Sequence, residues 1–217
     1  MKITKFVHSC LLLETPDKVA IIDPGQFSWQ SKLLDISSLK KLDYIVITHE
    51  HRDHFSMNFV QALVAQFPEV CIVSTPSVME QLSKEGIDHF KDCKSDEVVQ
   101  ALDWPHESMD PLMPGPSPCE NIGVHFAGVL THPGDSYKAI ESKAIFAVPL
   151  AGPWGATIEG IRLAAKLKPK FVVPIHDWMW NDNWRASMYD RCEEYFETQG
   201  IKFLKLKDGE PVEISVA

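Results

Sequence analysis

The segment Ile47-Thr48-His49-Glu50-His51-Arg52-Asp53-His54 gathers four metal-type side chains, His49, His51, Asp53 and His54, within six residues. Imidazole and carboxylate are the donors that divalent transition metals take from proteins. In an extended or looping backbone His49 and His51 point to one side, whereas the adjacent Asp53 and His54 must diverge. The spacing therefore suits two neighbouring metal positions better than one. The sequence has no Gly-x-x-x-x-Gly-Lys phosphate loop, no Gly-x-Ser-x-Gly elbow and no dinucleotide fingerprint, so the chemistries those motifs carry lack their usual residues.

Charge narrows the partners. With 21 Lys and Arg against 30 Asp and Glu the formal charge is -9, and the average field repels polyanions. Nucleic acid and anionic membrane surfaces are not expected partners, whereas a small-molecule substrate is. The longest uncharged apolar segment, 144–156, is too short to span a bilayer and is interrupted by Pro149, Gly152, Pro153 and Gly155. No secretion-signal pattern is read at the N-terminus. The five cysteines are odd in number and include no CxxC pair, which suggests neither a disulfide framework nor a thiolate zinc knuckle. They are read mainly as small buried hydrophobes, and a reducing cytoplasm is the expected setting.

The elements that must position the histidine run are short. Strands are predicted over 2–6, 10–14, 19–23, 44–48 and 70–74, each rich in aliphatic or β-branched residues and bounded by turn signals. Met57, Val60, Val64 and Phe67 share one face of a helix over 57–67, and a second helix over 77–84 follows Pro76. The second half continues with strands over 98–102, 122–126 and 144–148, a helix over 158–167 stopped by Pro169, and a strand over 171–174. A helix over 185–199 then ends at Gly200, before a strand over 201–206. The proline-rich stretch 105–117 reads as a loop over one face. The order is mixed α/β, in one domain over 1–217.

With an aspartate ending an earlier strand, in Ile22-Asp23-Pro24-Gly25, the H-x-H-x-D-H run resembles the metallo-β-lactamase superfamily, and in particular its small, single-domain, lactonase-like branch. Three later residues match that family's pattern in order: His106 in Trp104-Pro105-His106, Asp135 in Gly134-Asp135-Ser136, and His176 in Val173-Pro174-Ile175-His176. The resemblance spans roughly residues 8–176 and implies an αββα sandwich, with a dinuclear metal site at one edge. It implies that His49, His51 and His106 hold one ion, that Asp53, His54 and His176 hold the other, and that Asp135 bridges them. Two divalent ions are implied, zinc first, although these ligand types also suit manganese and iron.

The same resemblance implies hydrolysis of a small ester, lactone, amide or phosphodiester by a metal-bound hydroxide, a shared water being acidified towards a pKa of about 7. Asp53 is the candidate to take the proton. The leaving-group acid stays open among His132, His8 and Asp177. Asp23 is read as orienting the ligand loop, the alternative being a turn aspartate before Pro24-Gly25. His89, His125 and His132 are the alternatives at the position given to His106; His125 reads as a core histidine, and His89 sits in a charged stretch. His132 either orients Asp135, faces the substrate or is a turn residue, and His8 resembles a His-Ser element of the lactonase-like branch. Trp154, Trp178, Trp180 and Trp184 are candidates for a pocket wall suited to an apolar or planar group. A non-hydrolytic iron enzyme of the same fold is the runner-up, disfavoured because that branch has Glu where His51 stands. A binding protein with a vestigial site is disfavoured by the full set of seven ligands.

Overall fold

The computed structural model describes residues 1–90, 97–110, 112 and 119–216. Strands β1 (Lys2–Lys5), β2 (Leu11–Glu14), β3 (Val19–Ile22), β4 (Tyr44–Ile47) and β5 (Cys71–Ser74) form where aliphatic runs predict them. They make a six-stranded sheet, completed by the C-terminal β12 (Pro211–Glu213), in the order β12-β1-β2-β3-β4-β5. The second sheet joins β6 (Val99–Leu102), β7 (Gly123–Phe126), β8 (Leu130–His132), β9 (Ile145–Pro149), β10 (Phe171–Ile175) and β11 (Lys202–Phe203) in the order β11-β10-β9-β8-β7-β6. Both sheets are mixed, with β3, β4 and β5 parallel in one and β8, β9, β10 and β11 parallel in the other.

Alternation along the strands explains the layering. Leu11, Leu13, Tyr44 and Val46 face the second sheet and meet Val124, Phe126, Ala147 and Val173 in a shared core. Their neighbours Leu12, Ile45 and Ile47 face outward, against helices α2 (Met57–Gln66) and α3 (Pro76–Lys84). On the far side Phe146, Val148 and Val172 pack under α4 (Thr157–Leu167) and α5 (Asp182–Thr198). Apolar side chains on both faces of each sheet demand cover on both faces, and the αββα sandwich supplies it.

Helix α5 begins three residues earlier than predicted because Asn181 accepts a hydrogen bond from the Trp184 N–H at 2.9 Å and caps it. The short helix α1 (Gln26–Ser31), β8 and β12 are additions to the predicted elements; none is long enough to show a period. Of the proline-rich loop, 105–110 and 112 run without helix or strand, while 111 and 113–117 lie outside the described residues. One expectation is corrected: Cys71 is disulfide-bonded, while Cys10, Cys119 and Cys192 are free. Missing CxxC spacing excludes only local pairs, not those made by folding. Cys93 lies outside the described residues. Among the described residues no helix is long and apolar enough to cross a membrane.

Candidate metal centre

The strand ends after β1, β3, β4, β8 and β10 deliver His8, Asp23, His49, Asp135 and His176 to one edge of the sandwich, and the segment after β6 brings His106. Leaving a strand sharply enough to aim a side chain back over the sheet edge requires unusual backbone. Of the seven non-glycine residues with positive φ among those described, four lie here: Val7, His8, Asp23 and His176. Such conformations persist only where surrounding structure holds them, and they gather at functional sites. Close packing adds a constraint at Gly25, where a Cβ would lie 1.8 Å from the Asp53 carbonyl oxygen. Any side chain at that position would push the histidine loop away.

Three donor sets result. His49, His51, His106 and Cys119 form one, His8, Asp53, His54 and His176 a second, and His49, His54 and Asp135 a third between them, the donor atoms of each set lying within 4.8 Å of one another. Asp135 Oδ2 is 3.6 Å from His49 Nε2, 3.5 Å from His106 Nε2 and 3.2 Å from His176 Nε2, and Oδ1 is 3.1 Å from His54 Nε2. Donors bound to one tetrahedral ion at ordinary bond lengths stand about 3.3–3.6 Å apart. The Nε2 atoms of His49, His54, His106 and His176 and Asp135 Oδ1 are buried and crowd together without a well-directed hydrogen bond among them. Leaving such groups unsatisfied is costly, and divalent cations would satisfy them together.

The opposite ring nitrogens are tied. His54 Nδ1 donates to Asp23 Oδ2 at 2.7 Å, His106 Nδ1 to the Glu107 carbonyl, and His176 Nδ1 to the Ala151 carbonyl. His49 Nδ1 faces Thr48 Oγ1 at 3.0 Å, and that hydroxyl donates to Asp23 Oδ2 at 2.9 Å. These contacts fix the tautomers and turn each Nε2 toward the centre. Asp23 thus stands behind the ligand loop, where the sequence reading put it.

Charge follows the same geometry. Burial and the neighbouring His54 push His49 well down. Burial would also depress His54, but Asp135, Asp23 and Asp53 outweigh it and hold the imidazolium well up. Burial raises Asp135, yet His176, His54 and His49 keep its carboxyl well below the usual carboxylate range. Asp53, with 22% of its side chain exposed, is pushed up by burial but held low overall by His54 and by a hydrogen bond to His8 Nε2 at 3.1 Å.

The other histidines stand apart. His125 is buried in β7 with Nδ1 2.9 Å from Thr131 Oγ1, the core role expected of it. His89 is half-buried, its carbonyl accepting from the Ile72 N–H. His132 is completely buried, its Nδ1 accepting from the Gly134 N–H at 3.2 Å and its Nε2 3.3 Å from the Ser9 carbonyl. As a leaving-group acid it is therefore closed off. Asp177 is closed off too: Lys5 Nζ donates to its two oxygens at 2.6 and 2.8 Å, the Tyr189 hydroxyl also donates to it, and Lys5 and Asp177 are each 1% exposed.

Two of the four tryptophans flank the centre. The Trp154 ring lies 5.1 Å from that of His176 and 6.1 Å from that of His106. Trp178, half exposed, stacks on Phe27 at 4.0 Å, and Phe27 meets His8 edge-on at 5.4 Å. Trp180 packs toward the α5 core and Trp184 is exposed. Sequence reasoning missed Cys119 as a donor, the Lys5 partner of Asp177, and Asn121. The Asn121 side chain donates to the Trp104 and Pro133 carbonyls and accepts from the Asp135 N–H at 3.1 Å, bracing the Asp135 turn.

A two-sheet sandwich carrying His/Asp clusters at its strand ends defines a metallo-hydrolase-type fold. A family model described as the β-lactamase superfamily domain matches residues 2–176. The chain belongs to that family, and the expected metallo-β-lactamase superfamily and αββα fold are borne out. Protein Rv0786c of Mycobacterium tuberculosis is 29% identical over 208 residues, covering 91% of this chain and 94% of the relative. A UPF0173 metal-dependent hydrolase of Pyrococcus furiosus is 28% identical over 99% of this chain and all of its own length. The solved structure of Igni18, a metallo hydrolase from Ignicoccus hospitalis, superposes with a TM-score of 0.69 at 20% identity over 99% of both chains.

Proposed function

We propose that the chain is a metal-dependent hydrolase of a small ester, lactone or phosphodiester, with His49, His51 and His106 holding one divalent ion, Asp53, His54 and His176 a second, and Asp135 reaching both. The observation that carries this reading is the set of buried Nε2 atoms converging on Asp135, each ring held from behind. When bound, such ions supply Lewis acidity and lower the pKa of coordinated water towards neutrality; zinc is the first expectation, and manganese or iron also suits the donors. The name of the Pyrococcus relative supports the same class.

The chain's own residues then divide the work. Asp53 is ionised throughout the neutral range and is the most open carboxylate of the cluster. So weak a base orients an attacking water and accepts its hydrogen bond more readily than it keeps a proton. His8, pushed down to about 4 by burial and by His176, is neutral and holds Asp53 through Nε2. With His8 committed there, and His132 and Asp177 enclosed, none of the three candidate acids is free to protonate a leaving group.

The reading therefore favours substrates whose leaving group departs with little protonation, such as lactones, aryl esters and activated phosphodiesters, over amides. The Trp154 and Phe27/Trp178 faces suit a planar or apolar group beside the reacting bond. The test is a panel of aryl esters, alkyl esters, lactones, phosphodiesters and amides on metal-loaded and chelator-treated protein. Metal-dependent turnover that falls steeply as the leaving group becomes more basic is expected. Equal turnover of amides and aryl esters, or none of any substrate at full metal loading, would overturn the reading.

A further inference from the structure

We propose that Cys119 is a fourth protein donor at the first metal position, giving it three imidazoles and one thiolate. The proposal rests on the metal-centre reading above and adds a donor of a different chemical kind to it.

Cys119 Sγ lies 3.4 Å from His51 Nε2, and it falls within 4.8 Å of the donor nitrogens of His49 and His106 as well. Zinc–sulfur and zinc–nitrogen bonds of about 2.3 and 2.1 Å at a tetrahedral angle put sulfur and nitrogen about 3.6 Å apart. A thiol hydrogen bond to His51 would account for the single contact. It would leave His49 Nε2 and His106 Nε2, on residues 0% and 1% exposed, buried and without partners. An ion on the three imidazoles satisfies both, and the sulfur stands at the separation that a fourth donor to that same ion would have.

The thiol is also held in place. Two residues on, Asn121 fastens its segment to the Trp104 and Pro133 carbonyls and to the Asp135 N–H, and the Ile122 N–H donates to the Thr48 carbonyl at 3.0 Å. Cys119 is thereby braced against both the Asp135 turn and the strand end that precedes His49. A thiolate would bias this position toward zinc and cobalt and away from manganese and magnesium, which prefer oxygen donors. It would also leave less of the first ion's coordination free, placing the more open coordination at the second ion, beside Asp53.

Cobalt(II) substitution of the full chain tests this without reference to activity. At saturating cobalt the wild-type protein should show visible bands of a low-symmetry site together with a near-ultraviolet sulfur-to-cobalt charge-transfer band. That band should vanish in Cys119→Ala and persist in Cys192→Ala, whose thiol is buried under α5. Zinc affinity of the tighter site, read by chelator competition, should fall in Cys119→Ala by about tenfold or more, since a direct donor matters at least as much as an outer-shell partner. Cobalt uptake by the wild type without the sulfur band would overturn the proposal and leave the metal centre standing. Failure to take up cobalt at all would overturn both. Should the alanine variant not fold, the wild-type spectrum alone decides between these outcomes.

Discussion

Asp23 Oδ2 lies 2.7 Å from His54 Nδ1, with both residues completely buried. The same carboxylate accepts from the Thr48 N–H at 2.7 Å and from the Thr48 hydroxyl at 2.9 Å, so both of its oxygens are acceptors. An asparagine of the same shape would have to turn an amide N–H toward one of these donors. Asp23→Asn should therefore weaken metal binding by about 10- to 100-fold. Chelator competition measures this, and unchanged affinity would remove Asp23 from the support of the centre.

Asp135→Ala should lose both ions or all turnover, because its two oxygens face histidines of both donor sets. His125→Ala should keep its metal and lose only about 1–3 kcal/mol of stability through the lost hydrogen bond to the Thr131 hydroxyl. Metal content and thermal melting of the two variants separate these roles. Equal metal loss in both would mean that core and ligand histidines have been exchanged.

His176→Ala should weaken the second position selectively, since Asp53, His54 and Asp135 remain there while His49, His51 and His106 are untouched. Turnover should fall by orders of magnitude, and excess metal should restore part of it by mass action. Titration followed by kinetics checks this; normal turnover with unchanged affinities would exclude His176 as a ligand.

Burial pushes Asp177 up, but the Lys5 ammonium and the Tyr189 hydroxyl outweigh it and hold the carboxyl below its ordinary range. A depressed folded pKa gives stability that is present above the unfolded value of about 3.9 and is lost as pH falls through the folded one. Asp177→Asn should thus cost about 3–5 kcal/mol near neutrality by leaving Lys5 buried with only the Asp208 carboxylate, 3.9 Å away, as counter-charge. Its deficit should shrink below about pH 4. Urea unfolding of both proteins across pH measures the gap, and a deficit independent of pH would refute the ion-pair account.

The ligand run was legible because close spacing of histidine and aspartate after an apolar strand is rare without a metal to explain it. The strands were legible because Leu11 to Leu13 and Tyr44 to Ile47 alternate between two apolar environments. What stayed hidden depends on approach through space. Cys119 reaches His51 across 68 residues, and Lys5 reaches Asp177 across 172. A lysine in a short strand carries no sign that a carboxylate will meet it in the core. Asn121 likewise looks like any loop asparagine until the turn at Gly134 closes on it; that glycine has φ +63°, and a Cβ there would lie 2.1 Å from Asn121 Oδ1.

The central claim, two ions jointly supporting hydrolysis, is tested most directly by counting metal per chain while turnover is followed. Metal-free protein is titrated with zinc, and bound metal is read by elemental analysis alongside hydrolysis of an aryl ester or lactone. Binding should saturate close to two ions per chain, because the converging donors exceed what one tetrahedral ion can use, and activity should rise mainly as the second position fills. Saturation at one ion or fewer, or full activity with the second position empty, would contradict the account.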